Sequence, residues 1–137
     1  MITKLFEFAN KKDWIDEFLS NLYIITDSTV SFKDTIFYFQ ELIQQDYGDV
    51  ASLYFSDFNN IEENWNSYSS LEKISTLIDY LEYEDDDKYD EKNHNRIQIL
   101  IKILDNIYDN IKDNKPLIDK NFIEKIKREE VANNFNI

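Results

Sequence analysis

Cysteine is absent from this chain of 137 residues. That removes disulfide frameworks, thiolate zinc sites, iron–sulfur clusters and cysteine nucleophiles, and it fits a reducing compartment. A single histidine, His94, leaves most imidazole-based metal sites and acid–base pairs unbuildable. One glycine and one proline argue against a sandwich or barrel, whose many tight turns need positive φ. No run of about 18 apolar residues is present to cross a membrane. Glu7, Asp13, Asp16 and Glu17 sit where a secretory leader would be basic and then apolar. The expectation is a cytoplasmic protein forming a single domain over residues 1–137, long enough to bury a core without staples.

What the chain does contain is helical spacing. Ile97, Leu100, Ile101, Leu104, Ile107, Tyr108 and Ile111 recur at three and four residues, a stripe that only a helix turns to one side. Leu71, Ile74, Leu77, Ile78 and Leu81 repeat the pattern behind Ser69 and Glu72, the spacing of a capping box. Ser31 with Asp34 opens another helix through Ile36, Phe39 and Ile43, with Gly48 expected as its C′ residue. Asn10 and Asp13 are expected to start a helix bearing Trp14, Ile15, Phe18, Leu19 and Leu22, prefaced by Ile2 to Ala9.

Asp49 is expected to cap a short piece with Leu53, Tyr54 and Phe58, and Asn60 to Glu63 to open a turn or two with Ile61, Trp65 and Tyr68. Pro116, in a first-turn position, suggests a final helix with Ile118, Phe122 and Ile126, frayed from about residue 132. Tyr23 to Thr26 has strand-like residues but no matching partner. The fold class is therefore all-α, a compact single-domain bundle or irregular array of about six to eight helices. Phe32, Phe37, Phe39, Phe55 and Phe58 fall near core positions of these helices.

Charge is distributed unevenly. Net charge is −2 over residues 1–30, −12 over 31–92 and +1 over 93–137, within a total of −13. Asp79, Glu82, Glu84, Asp85, Asp86, Asp87, Asp90 and Glu91 place eight carboxylates in thirteen residues, relieved by Lys88. The connection near 84–92 is the densest part. Its ordinary role would be a solvated link between two helices. Its functional role would be a docking surface: like charges this close weaken the fold, yet their field attracts and steers a basic partner. Tyr83 and Tyr89, whose neighbours resist burial, are the expected anchors inside that charged rim. The candidate partner-binding residues are Asp79, Glu82, Tyr83, Glu84, Asp85, Asp86, Asp87, Tyr89, Asp90 and Glu91.

Other chemistries fit poorly. A calcium loop begun at Asp85 would need glycine at its sixth position, where Asp90 stands. Glu91 and His94 make one Glu-x-x-His pair, with no second histidine to complete a di-iron site; a solvated or helix-capping His94 is expected. Glu62 and Glu63 are adjacent and point apart on a helix, and no phosphate-cradling glycine loop occurs. Lys120, Lys125, Lys127 and Arg128 are diluted by Glu124, Glu129 and Glu130, so direct nucleic-acid binding is disfavoured.

Neither catalysis, cofactor nor metal is expected, nor is a membrane partner. The expectation is an acidic inhibitor, an immunity protein or antitoxin in a bacterial setting, that neutralises a basic protein such as a nuclease toxin. A phage-encoded nucleic-acid mimic acting on a host defence protein would use the same physics. A small enzyme or structural subunit with a merely solubilising acidic surface is the third reading.

Overall fold

The computed structural model describes residues 14–43, 58–85 and 91–135, and these are all helical, turn or loop. Seven α-helical segments run in chain order: α1 (Trp14–Ser20), α2 (Tyr23–Thr26), α3 (Phe32–Leu42), α4 (Phe58–Asn64), α5 (Ser70–Glu84), α6 (Glu91–Lys112) and α7 (Lys120–Phe135). A 3-10 turn, Trp65–Ser67, follows α4. No strand occurs among the described residues, and none of their helices is long and apolar enough to cross a membrane.

Local chemistry sets the starts of α3, α5 and α7. Ser69 Oγ accepts from the amide of Glu72 at 3.1 Å, and the Glu72 carboxylate accepts from the amide of Ser69 at 2.8 Å, which completes the capping box of α5. Ser31 Oγ accepts from the Asp34 amide at 3.1 Å at the start of α3. A second first-turn amide there, that of Lys33, donates to Glu62 Oε2 at 2.9 Å, so α4 satisfies α3 from outside.

Several boundaries differ from the spacing argument. The helix expected through Leu22 breaks after Ser20, and Tyr23 to Thr26 continues as the short helix α2, not a strand, with Ile24 and Ile25 buried. α3 stops at Leu42 with Ile43 as its C-cap, and Gly48, the expected C′ residue, lies outside the described residues; the Leu42 carbonyl is taken up by Arg96 Nη1 at 2.6 Å. Pro116 lies before the final helix. Asp119 is the residue that caps it, its Oδ1 accepting from the amides of Asn121 and Phe122 at 3.1 and 3.3 Å. Ile118 is left outside α7 and exposed.

That final helix extends through Phe135, past the expected fraying point. The preface Ile2 to Ala9, the caps Asn10 and Asp13, the core candidate Phe55, and Asp49, Leu53 and Tyr54 of the next expected piece lie outside the described residues, while Phe58, expected in that piece, opens α4.

α6 ends in a Schellman motif. Asn114 takes φ 58° as its C′ residue, its amide donating to Ile111 O at 3.1 Å while the Lys115 amide reaches Asn110 O at 2.7 Å. Asparagine is one of the few residues other than glycine that visits this conformation cheaply, which suits a chain with so little glycine. The buried Asn110 side chain donates to Leu117 O at 3.0 Å and pins the following loop.

α6 is the central element. Its Ile97, Leu100, Leu104 and Ile107 are buried on one arc, and Ile99 and Ile103 on another, because α5 and α7 both pack against it. Tyr108 lies beside Leu71 at one end of the α5–α6 pair and Asp85 meets His94 at the other, so the two helices run antiparallel. The core continues through Trp14, Ile15 and Phe18 of α1 and Phe32, Ile36 and Phe39 of α3. The Phe18 and Phe39 rings meet edge to face at 5.7 Å, a pairing that contributes about 0.5–1.5 kcal/mol beyond burial. Phe37, expected inside, is 36% exposed beneath the Lys33 ammonium.

Two cations are built into this interior. Lys73 is buried with its ammonium 5.4 Å from the centroid of the fully buried Trp65 ring, and burial holds its amine below the ordinary lysine range, against a smaller pull from Asp27. Arg96 lies 4.6 Å over Trp14, whose indole N–H donates to Glu130. Burial likewise depresses the Arg96 guanidinium, opposed by Glu130. This cluster joins α1, α3, α6 and α7.

Candidate partner-binding face

The C-terminal half of α5 carries the described part of the acidic run. Asp79 and Glu82 are exposed, and Tyr83 presents 42% of its surface. Acidic groups here oppose the helix dipole, and no basic residue occupies the last turn of α5 to offset them. Glu84 ends the helix and Glu91 begins α6, with nothing described of either side chain. Asp86, Asp87, Tyr89 and Asp90 lie outside the described residues. Tyr80 is fully buried, which leaves Tyr83 as the described aromatic of this stretch that reaches solvent.

Asp85 departs from the expected pattern. Its side chain is only 14% exposed, with Oδ1 2.7 Å from His94 Nδ1 and Oδ2 accepting from Gln98 Nε2 at 2.6 Å. The carboxylate faces the first turns of α6, where the helix dipole favours an anion. Asp85 therefore holds the α5–α6 hairpin together, and its two oxygens are not presented to a partner. His94, 54% exposed, is the residue that receives it. An Asp–His pair also occurs in hydrolytic triads, but among the described residues no hydroxyl hydrogen-bonds to His94.

Of the basic C-terminal group, Lys127 is turned into an internal pair, while Lys120, Lys125 and Arg128 are exposed. Lys127 Nζ lies 2.6 Å from Asp16 of α1, and Lys102 of α6 lies 3.6 Å from Glu129. A groove of about 450 Å³ opens between α1 and α7 beside the first of these pairs, with Leu19, Ile118 and Ile123 in its wall and charges of both signs around it. The α5 side of α6 is different. Asp105 and Asp109 have no cation within ion-pair distance among the described residues, and partial burial, then Asp109, raises the Asp105 carboxyl above its ordinary range.

Spacing arguments overlooked Lys73, Arg96 and Asn110. The first two had a readable signal, since each is a cation falling within the apolar arc of its helix wheel beside Ile74 or Ile97. Comparison with known protein families, with curated proteins and with solved structures finds no match to this chain.

Proposed function

We propose that the protein is a non-catalytic acidic inhibitor, an immunity protein or antitoxin, that binds and neutralises a basic partner of the nuclease-toxin type. The observation that carries this reading is the asymmetry about α6. On α5, Asp79 and Glu82 stand in solvent with no ion pair among the described residues and Lys73 is buried, whereas α7 mixes Lys120, Lys125, Lys127 and Arg128 with Glu124, Glu129 and Glu130, and its Lys127 is engaged by Asp16. Unpaired like charges cost stability, and a basic macromolecule is the ligand that would recover that cost. In this mechanism carboxylates occupy the cationic surface that otherwise receives RNA or DNA phosphates, and exposed tyrosine supplies apolar contact.

The test is to co-express the chain with the product of the adjacent upstream gene, score relief of toxicity, and measure the association kinetics of the two proteins. Capture should slow by at least about tenfold when salt rises from about 0.05 to about 0.5 M, as screening shortens from about 14 to about 4 Å. Salt-independent association, or failure of co-expression to relieve toxicity, would remove the proposal.

A further inference from the structure

The acidic surface has a second end. Around the first turns of α5 a groove of about 330 Å³ opens between Tyr68, Leu71, Glu72, Ser75 and Thr76 on one side and Tyr108 of α6 on the other. Both tyrosines are partly buried, so their rings are fixed against the core while part of each stays accessible. Glu72 is fixed too, because its carboxylate is engaged by the Ser69 amide in the capping box. The Thr76 hydroxyl donates backward to Glu72 O at 2.9 Å, which leaves its lone pairs as acceptors. Asp105 and Asp109 flank Tyr108 on α6. The exposed Lys112 one turn further along leaves the surround net negative.

We propose that this groove receives an arginine side chain of the basic partner, its guanidinium lying against the tyrosine rings with N–H groups directed at Glu72 and the hydroxyls. The inference rests on the reading of the acidic face as an inhibitor surface and adds an anchor to it. Charge complementarity requires a cation, and the aromatic walls select which one. A planar, weakly hydrated guanidinium stacks on a ring and still offers several donors, whereas a lysine ammonium is a strongly hydrated point charge. The volume suits one side chain and not a helix. Glu72 and Glu82 are ten residues apart on α5, about 15 Å along the axis, a span that one interface of about 800 Å² per partner covers.

The probes are hexa-arginine and hexa-lysine peptides, titrated at low salt into the isotope-labelled full chain while backbone amide signals are followed. Hexa-arginine should move the amides of Tyr68, Ser75, Thr76 and Tyr108 at about three- to fivefold lower concentration than hexa-lysine. Tyr108→Ala should abolish those shifts and Tyr108→Phe should keep them, with the shifts of Asp79 to Asp85 unchanged in both. Tyr68→Ala serves if Tyr108→Ala unfolds. Shifts confined to Asp79 to Asp85, or equal responses to the two peptides in the groove, would overturn the arginine site and leave the inhibitor reading standing. No shift anywhere on α5 with either peptide would overturn both.

Discussion

The Asp85 carboxylate and the His94 imidazole, 2.7 Å apart, fasten the end of α5 to the beginning of α6. One side chain thereby caps the junction of the two helices that bear most of the acidic surface. Its role is structural although it sits in the middle of a run of carboxylates, so the acidic residues of 79–91 are not interchangeable.

Substitution should separate them. Asp85→Ser removes two hydrogen bonds of a largely buried carboxylate and should lower stability by about 1–3 kcal/mol in urea denaturation. The pair Asp79→Ser and Glu82→Ser should leave the urea midpoint unchanged or raise it, because repulsion is relieved, while slowing capture of a basic partner. Equal stability losses from both changes would contradict the hairpin role of Asp85.

Arg96 joins four helices through Trp14, Glu130 and the Leu42 carbonyl. Arg96→Ala should cost about 2–4 kcal/mol, combining the charged hydrogen bond with the stacking contact. Arg96→Lys should recover less than half of that, since an ammonium lacks the planar fork. Denaturation midpoints of the two variants check the ordering.

Lys73 predicts a pH dependence. Its folded-state pKa is depressed, so between that value and the unfolded value near 10.5 the unfolded chain binds more protons than the native one. Stability from this group therefore rises with pH through that window and levels off above it. Lys73→Met should be as stable as the parent or more so at neutral pH, and should lack the alkaline rise. The difference between parent and variant isolates Lys73 from Tyr38, whose hydroxyl is pushed up by burial.

Asp105 predicts the opposite slope. Its raised carboxyl means that the native state holds the proton longer, so its destabilising effect is present at neutral pH and fades on acidification. Asp105→Asn should stabilise by roughly 0.2–0.5 kcal/mol at neutral pH, with the gain vanishing once the carboxylates are protonated. Thermal melts at the two pH values decide it.

Asn114 holds the left-handed turn after α6. Asn114→Gly should be neutral or slightly stabilising, and Asn114→Ala should cost about 1 kcal/mol because a Cβ opposes φ 58°. A comparable loss with glycine would show that the asparagine side chain, not the backbone, carries the turn.

The helices of the described residues were largely legible in the sequence, because the signals are local. A stripe at three- and four-residue spacing fixes α6 and its inward face, Ser69 with Glu72 fixes the start of α5, and the segmental charge count locates the acidic excess. These depend on residues within one or two turns of each other. The contacts between helices decided the rest. The Leu42 carbonyl left open at the end of α3 is taken by Arg96, 54 residues away. Asp119 displaces Pro116 as the start of α7 once the Schellman turn and Asn110 have fixed the loop. Asp85 turns inward because antiparallel packing of α5 and α6 brings His94 and Gln98 to it. The tyrosine groove exists for the same reason: Tyr68 and Tyr108 are 40 residues apart in the chain, and only the hairpin makes them neighbours.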